Sequence, residues 1–127
     1  GYGSNTDGQH VTRPDSEMMG RCMQLALKDA ELSADDIDYV NAHGTSTDQG
    51  DIAESQATAR ILGKKPISSL KSYFGHTLGA CGALEAWLSI EMMLRNEFTP
   101  TLNLDEVDEA RKVVKQINTS LIFKKIA

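Results

Sequence analysis

The chain has 127 residues, of which 40% are hydrophobic and 24% are charged, values close to those of globular domains, so they argue against a wholly disordered or fibrous chain. No run of 18 apolar residues occurs, which excludes a membrane-spanning helix. The formal net charge of −5 argues against nucleic acid and anionic membranes as the main partners.

The first part of the chain predicts a loop, a helix and a strand. Residues 1–10 are rich in Gly, Ser and Asn, which indicates a strand leading into a loop. Pro14 then opens a helix that reaches about Leu32, with apolar residues at spacings of three and four. Ser33 and Asp36 have the spacing of a capping box around one short turn. The β-prone run Ile37–Ala42 predicts a strand.

The middle of the chain predicts two further helices separated by a short strand. Asp48 is the expected N-cap of a helix that ends at Leu62 before Gly63. A strand from Ile67 to Leu70 leads into a loop over residues 71–76. A long apolar helix, from Thr77 to about Arg95, follows and is expected to be buried.

The end of the chain predicts an extended segment, a connector and a last strand. These segments are Pro100–Leu104, Asp105–Lys115 and Ile117–Phe123, respectively. Strands that alternate with helices indicate an α/β layered fold. The first residue is Gly1 and not Met, from which we expect a piece of a longer protein.

Two loops carry a histidine where a predicted strand ends and a helix begins. His43 follows the strand that ends at Ala42, and His76 lies 33 residues later, about one strand–helix–strand unit. Ligands of open α/β sheets bind at the carboxyl ends of strands, so we expect the two histidines on one face of the sheet. A single histidine in such a loop is more often only a loop residue, but two such loops favour a functional site.

The position of His76 before a helix bears on its charge. Unpaired amides and the positive end of the dipole of a helix that begins at Thr77 disfavour an imidazolium. A neutral imidazole donates one N–H, which suits the polarisation of a carbonyl oxygen. Lys71 adds positive potential in the same loop, and Glu85 in the following helix is a candidate partner for that lysine.

The polar side chains after His43 allow two interpretations. The hydroxyl groups of Thr45, Ser46 and Thr47 suit hydrogen bonds to a polar ligand arm, but turn and helix-cap chemistry explains them as well. Asp51 and Glu54 taken alone fit an exposed first turn of the next helix.

The two cysteines, Cys22 and Cys81, are flanked by apolar or small residues. A lone pair without a secretory pattern does not form a disulfide scaffold, so we expect free buried thiols in a reducing compartment.

The motifs of the two histidine loops resemble the C-terminal half of the β-ketoacyl-(acyl-carrier-protein) synthases, which are condensing enzymes of the thiolase-like superfamily. The resemblance runs from residue 1 to about 107 and resumes at 117–125. It implies half of a thiolase-like layered α/β fold, with a mixed sheet and helices packed on its faces, and it makes residues 1–127 a C-terminal domain. The matching motifs are His43-Gly44-Thr45-Ser46-Thr47, Gly50-Asp51, Lys71-Ser72 and Gly75-His76-Thr77-Leu78-Gly79-Ala80-Cys81-Gly82.

The resemblance implies a catalytic role for three of these residues. His43 and His76 match the two histidines that assist decarboxylation of a malonyl thioester and stabilise the enolate oxygen. Lys71 matches the lysine behind the second histidine, and Glu85 matches the glutamate associated with that lysine. The activity implied for the parent protein is an acyltransferase reaction, the decarboxylative Claisen condensation of a malonyl thioester with an acyl thioester.

The resemblance also implies the binding residues and the partners. Thr45 and Thr47 match threonines that bind the phosphopantetheine arm, and Asp51 and Glu54 match acidic residues of a supporting polar network. No metal and no dissociable cofactor is expected, because the phosphopantetheine belongs to the acyl carrier protein. The parent is expected to be a cytoplasmic homodimer.

Two departures from the family pattern stand out. The nucleophilic cysteine of the family belongs to the N-terminal half, which is absent from this chain, and neither Cys22 nor Cys81 matches its motif. The glycine- and phenylalanine-rich loop before the last strand is also missing near residues 108–116, because the final glycine is Gly82. We therefore expect the chain alone to be inactive. Without the N-terminal half, an apolar face around Trp87, Leu88 and Met92 is expected to be exposed or to be covered by self-association.

Three other functions are alternatives to this one. A metal-dependent hydrolase would use ligand types that are present, but no H-x-x-x-H or C-x-x-C spacing occurs. A serine hydrolase fails because an aspartate stands at the last glycine position of G-x-S-x-G. A non-catalytic half-domain that docks a carrier protein or a complementary N-terminal half remains open. The candidate metal ligands are His43, Asp48, Asp51 and His76.

Overall fold

A computed structural model describes residues 1–8, 10–117 and 121–122, with the backbone alone described at 111, 121 and 122. Four α-helices lie in this part of the chain: α1 Ser16–Ala30, α2 Asp48–Leu62, α3 Lys71–Phe74 and α4 Cys81–Arg95. Three short 3₁₀ turns accompany them, at Ala34–Asp36, Leu78–Ala80 and Glu109–Arg111.

The described strands are short and form two separate ladders. Strands β1 (Val40–Asn41), β2 (Pro66–Ser68) and β4 (Lys115–Gln116) form a parallel sheet in the order β1-β2-β4. Strands β3 (Glu97–Phe98) and β5 (Leu121–Ile122) pair in antiparallel fashion. The predicted α/β class is confirmed. One mixed sheet was expected, whereas the parallel and the antiparallel pairs of the described residues lie in two ladders.

The capping interactions predicted near the first two helices form at α1 and at the turn after it, and the cap of α2 is shifted by one residue. Asp15 caps α1 by accepting the N–H groups of Glu17 and Met18. The capping pair after α1 forms, because the backbone N–H of Ser33 donates to Asp36 at 2.8 Å. The N-cap of α2 is Thr47, so the assignment of Asp48 as the cap was wrong by one residue.

The sheet carries apolar side chains on both faces. Val114, Ile67 and Ala42 form one buried cluster, on which Val40 and Ala59 pack. The second cluster comprises Leu70, Met92, Phe98 and Ile117, with Tyr39, Phe74 and Leu88 packed against it. Ile67 of β2 is paired with Gln116 of β4, and Ile117 is the next residue along the chain. Successive residues of an extended chain point to opposite faces, so Ile67 and Ile117, each 1% exposed, lie in different clusters. Helix α4 therefore packs through Leu88 and Met92 on one face, and α1 packs on α2.

Several predicted boundaries were wrong because tertiary contacts set them. The segment predicted as a loop after β2 is the short helix α3, and the helix predicted from Thr77 begins at Cys81 after a 3₁₀ turn. Of the residues predicted as a strand at Ile117–Phe123, Leu121 and Ile122 form β5, which pairs with β3, whereas Ile117 follows the end of β4 at Gln116. Residues 118–120 lie outside the described part of the chain. Phe123 lies outside the described residues.

The prediction that the long apolar helix is buried was wrong, because only Cys81 and Met92 of α4 are buried, and the apolar face that it exposes differs from the expected one. Trp87 is 58% exposed, as expected, but Met92 is 6% exposed and belongs to the core. Leu88 packs against the same core cluster, so its predicted exposure was also wrong. The exposed α4 face, as we call it below, consists of Trp87, Ile90, Met93 and Leu94.

The stacked pair of Tyr39 and Phe98 predicts a pH dependence of stability. Burial raises the pKa of Tyr39, although the hydrogen bond with Ser68 opposes the rise. A raised pKa in the folded state means that this contribution is complete below the ordinary value of 10.0 and is lost as the pH rises through the folded pKa. Tyr39→Phe should therefore make the alkaline fall of the free energy of unfolding shallower, by at most about 1.4 kcal/mol per pH unit.

Urea unfolding between pH 8 and about 11 measures this difference. Tyr2→Phe is the matched control, because Tyr2 is 75% exposed, and its alkaline slope should equal that of the unmodified chain. Equal slopes for Tyr39→Phe and the unmodified chain would contradict the assignment.

Candidate functional site

The two histidine loops meet at the carboxyl edge of the parallel sheet. His43 follows β1, and His76 follows β2 and the short helix α3. Their ring centroids lie 5.1 Å apart, with the ring planes at 85° in an edge-to-face arrangement. The predicted convergence of the two loops is confirmed, and it follows from the parallel pairing of β1 with β2.

The 3₁₀ turn that follows His76 makes a hydrogen bond with its ring. The backbone N–H of Leu78 donates to Nδ1 of His76 at 3.0 Å. In a neutral ring, a nitrogen that accepts a hydrogen bond carries no proton, so this contact selects the tautomer with its proton on Nε2. The neutral state of His76 stays a prediction, and the helix that was to supply the dipole begins at Cys81 and not at Thr77.

The His43 loop is held from two sides. Glu54 of α2 accepts the backbone N–H of His43 at 2.8 Å and that of Gly44 at 3.0 Å. On the other side, Ser69 donates from its hydroxyl to the carbonyl oxygen of Gly44 at 2.9 Å. Gly44 has φ +39°, and a Cβ there would lie 2.6 Å from the Cβ of Ser69, so only glycine fits this approach.

Glu54 is expected to stabilise the loop through these two amide bonds. Glu54→Ala removes both acceptors, so we expect the free energy of unfolding to fall by about 1.5–3 kcal/mol. Glu54→Gln keeps one acceptor oxygen and should lose less. Gln56→Ala, at an exposed site of the same helix, is the control and should change stability by less than about 0.5 kcal/mol in urea unfolding. An equal effect of Glu54→Ala and Gln56→Ala would contradict the assignment.

Lys71 and Glu85 form a buried ion pair beside His76. Lys71 is 7% exposed, and its Nζ lies 2.5 Å from Oε1 of Glu85. Burial lowers the pKa of Lys71, but the hydrogen bond to Glu85 and the charge of that carboxylate, with a further contribution from Cys81, outweigh it, so the pKa is raised. The pair proposed from the sequence therefore forms, and it joins the start of α3 to α4 on either side of His76.

A cavity of about 270 Å³ opens at this edge of the sheet. Polar side chains from both loops and from the helices beside them line it, among them Thr45, Asp51, Glu54, Lys71 and His76. Thr45 and Thr47 lie together, with their hydroxyl oxygens 3.2 Å apart. The structure therefore brings the predicted acidic and hydroxyl residues to the histidine loops.

The connector before β4 supplies part of this wall, which sequence analysis did not anticipate. Val107, Asp108 and Gln116 line the cavity, together with Asn103. Thr101 fixes the preceding segment by accepting the N–H of Ser69 through its hydroxyl at 3.0 Å. The pattern gave no signal for this contact, because the connector is charged and aperiodic.

Both cysteines are free, as predicted. Cys81 is buried as predicted, at 5% exposure, whereas Cys22 is half-buried on α1, so its predicted burial was wrong. The sequence did not indicate that the thiol of Cys81 donates to Oε1 of Glu85 at 3.1 Å.

The described residues contain no group of three or more His, Cys, Asp and Glu side chains arranged to hold a metal ion. The four ligands of the alternative hydrolase site therefore receive no support from the geometry.

None of the helices found in residues 1–8, 10–117 and 121–122 combines the length and the hydrophobicity that a membrane crossing requires.

The fold and this site define an α/β domain with a candidate active site built on two histidines. The chain belongs to the β-ketoacyl synthase family, because residues 1–105 match the family described as "Beta-ketoacyl synthase, C-terminal domain". The resemblance drawn from the motifs is thus confirmed.

Two curated relatives illustrate the match. The 3-oxoacyl-[acyl-carrier-protein] synthase 2 of Coxiella burnetii is 44% identical over 115 residues, which covers 86% of this chain and 28% of the relative. The synthase 2 of Vibrio harveyi is 37% identical over 155 residues, which covers 100% of this chain and 37% of the relative. The chain thus spans about a third of the length of these relatives.

Solved structures agree with this assignment. A crystal structure of a β-ketoacyl synthase from Burkholderia phymatum matches with a TM-score of 0.93 and 62% identity, over 97% of this chain and 31% of that one. A structure titled as a type II polyketide synthase acyl-carrier protein in complex with its ketosynthase, AntDE:AntF, matches with a TM-score of 0.85 and 36% identity. It covers 97% of this chain and 32% of the matched one.

Proposed function

We propose that this chain is the C-terminal part of a 3-oxoacyl-(acyl-carrier-protein) synthase that condenses a malonyl thioester with an acyl thioester. The contact between the rings of His43 and His76, at 5.1 Å, is the observation that carries the proposal. Two imidazoles at one sheet edge suit a reaction in which negative charge develops on a single oxygen. Family membership supports the same reaction.

The neutral His76 acts as a hydrogen-bond donor in this proposal. Its Nδ1 is occupied by the Leu78 amide, so the N–H on Nε2 is the group that donates to the thioester carbonyl oxygen. When the bond between C2 and the carboxylate breaks and CO₂ leaves, the electron pair forms an enolate, and its oxygen is stabilised by His76 and His43. The carbon C2 then attacks the acyl thioester, the new C–C bond forms, and the thiolate leaves.

The other site residues support this donor. The Lys71 ammonium provides a cation beside His76, and the Glu85 carboxylate balances the charge of that ammonium inside the protein. Glu54 holds the His43 loop, and Asp51 adds to the polar wall of the cavity. Thr45 and Thr47 bind the phosphopantetheine arm of the substrate through their hydroxyl groups. The chemistry uses no metal and no dissociable cofactor.

The proposed partners are the acyl carrier protein and an N-terminal half that supplies the nucleophilic cysteine. The complex of a related ketosynthase with its carrier protein supports the first partner. The exposed α4 face, with Trp87 58% exposed and Leu94 77% exposed, supports the second. The complete enzyme is proposed to be a cytoplasmic homodimer.

The connector favours a second candidate, a half-domain that binds these partners without catalysis. The alignment with the Vibrio harveyi relative extends over 155 residues, whereas this chain has 127, so it includes positions that the chain lacks. We place that difference near residues 108–116, where the glycine-rich loop of the family belongs. Loss of that loop removes an oxyanion donor, and a non-catalytic role requires only the binding surfaces.

The test compares this chain alone with the complete polypeptide of which it is the C-terminal part. Each is incubated with malonyl-loaded and acyl-loaded carrier protein, and CO₂ release and the 3-oxoacyl product are measured. We expect both products from the complete polypeptide and neither from the chain alone. Carrier binding by the complete polypeptide without CO₂ release would overturn condensation in favour of the non-catalytic half-domain.

A second readout reports on the N-terminal partner. Trp87 is the only tryptophan of the chain, so its fluorescence reports on the exposed α4 face. Addition of a separately produced N-terminal half should shift the emission to shorter wavelength as the indole leaves water. An unchanged spectrum would argue against that interface.

A further inference from the structure

Cys81 makes a contact that its apolar sequence neighbourhood does not explain. It is the first residue of α4 and is 5% exposed. Its Sγ donates to Oε1 of Glu85 at 3.1 Å. The same oxygen atom receives the Lys71 ammonium at 2.5 Å. One carboxylate oxygen therefore binds two donors from two different elements.

Helix geometry makes the Cys81 contact a restraint on the Glu85 side chain. Cys81 and Glu85 are four residues apart on α4, so they lie on the same face of the helix. The backbone carbonyl of Glu85 is also occupied, because it accepts from the Ser89 hydroxyl at 2.7 Å and from the Asn41 amide at 3.3 Å. These bonds fix the backbone of the helix at Glu85, and the thiol restrains the carboxylate at the end of the Glu85 side chain.

The restrained carboxylate acts on the loop of His76 through Lys71. Lys71 begins α3, and its carbonyl accepts the N–H of Gly75 at 2.8 Å, which closes that short helix directly before His76. The Lys71–Glu85 ion pair then connects α3 to α4, so the elements on both sides of the His76 loop are held together. A change of the Glu85 rotamer therefore moves Lys71 and, through it, the His76 ring.

We infer that Cys81 is a positioning residue whose thiol hydrogen bond orients Glu85 on Lys71 and thereby fixes the His76 loop. The inference rests on the proposed function in giving that loop a catalytic purpose, but the hydrogen bond is measurable without any activity. Alanine at this position would fill a similar space without donating, whereas serine retains a donor at the same place on the helix. The pair of substitutions therefore separates packing from hydrogen bonding.

The S–H stretching band in the infrared spectrum tests the bond directly. A Cys22→Ser background leaves Cys81 as the single thiol of the chain. We expect its band at lower frequency than that of a free thiol in water, and a shift back towards the free value in Glu85→Gln. A band at the free-thiol position in the Cys22→Ser chain would overturn the inference, whatever the activity of the complete enzyme.

The kinetic test uses the complete polypeptide. Cys81→Ala should lower kcat for malonyl decarboxylation by about threefold to tenfold with KM unchanged, and Cys81→Ser should restore it to within about twofold. Equal kcat values for Cys81→Ala and the unmodified enzyme, or failure of serine to restore the rate, would overturn the positioning role. A lowered S–H band in an enzyme that releases no CO₂ would instead overturn the proposed function.

Discussion

Replacement of His76 by alanine in the complete polypeptide should lower the rate of malonyl decarboxylation by about 10²- to 10³-fold. The reason is that the substitution removes the Nε2–H donor that the Leu78 amide prepares by occupying Nδ1. A preorganised donor acts where charge develops in the transition state, so the loss should fall mainly on kcat. His43→Ala should cause a loss of similar size, because both rings belong to one contact pair.

His10→Ala is the matched control for these substitutions. His10 is the third histidine of the chain and bonds to Thr12 in its own exposed loop, with Nδ1 2.9 Å from the threonine hydroxyl. Its replacement should change the rate by less than about twofold, since its hydrogen bonds join it to Thr12 and Arg13 of its own loop. The double variant of His43 and His76 should lose less than the product of the single effects, as expected for residues that act as a unit.

The measurement is the initial rate of CO₂ release from malonyl-loaded carrier protein at several substrate concentrations. Circular dichroism of each variant checks that the fold persists. A folded His76→Ala enzyme with a decarboxylation rate within a few-fold of the unmodified one would refute the assigned role.

The position of the site was predictable from the sequence because it depends on the order of elements. Two histidines that follow neighbouring parallel strands meet at one edge, whatever the strand lengths, and β1 and β2 have only two and three residues. The C-terminal end of α2 was also predictable, since Gly63 follows the last residue of the helix, and its start was predicted to within one residue. These features depend on local chemistry and on topology alone.

The short elements were not predictable because long-range contacts create them. Helix α3 has four residues, too few to be stable alone, and it is held by the Ser72 hydroxyl, which donates to Ser69 and accepts the N–H of Leu102. Strand β4 has two residues and exists through its pairing with β2. No pattern in a window of a few residues contains that information.

The orientation of α4 illustrates a second limit of sequence patterns. The helix carries apolar residues on all sides, so the periodicity does not tell which side meets the core. Leu88 and Met92 pack against the core cluster, whereas Trp87 and Ile90 remain exposed. For the same reason the Cys81–Glu85 contact was missed, because an apolar environment and a hydrogen-bonded one look alike in the sequence.

Loss of either partner of the Lys71–Glu85 pair should strongly destabilise the domain. Lys71→Met leaves the Glu85 carboxylate without its cation at a site where the two side chains are 5% and 15% exposed. An uncompensated buried charge costs about 3–5 kcal/mol, so we expect the free energy of unfolding to fall by that amount. Glu85→Gln should have a similar effect, since it leaves the ammonium without a counter-ion.

The exposed pair of Lys112 and Glu109 provides the control. Its side chains are 54% and 86% exposed, and an ion pair in water contributes little to stability. Lys112→Met should therefore change the free energy of unfolding by less than about 1 kcal/mol. The comparison uses the same residue types and the same substitution, so burial is the variable that differs.

The pH dependence of the buried pair has a defined sign. The pKa of Lys71 is raised in the folded state, so its contribution is complete below the ordinary value of 10.5 and is lost as the pH rises through the folded pKa. The Lys71→Met variant should thus differ most from the unmodified chain at neutral pH. The two stability curves should converge in strong alkali.

A double variant separates the structural role of the pair from its chemical role. Lys71→Met combined with Glu85→Leu removes both charges and fills the space with apolar atoms, which is often neutral or stabilising at buried pairs. Urea unfolding should show recovery of most of the stability lost in Lys71→Met alone. The complete enzyme with both substitutions should nevertheless decarboxylate malonyl thioester slowly, because the cation beside His76 is absent. A double variant that regains stability and full activity would show that the pair serves the fold alone.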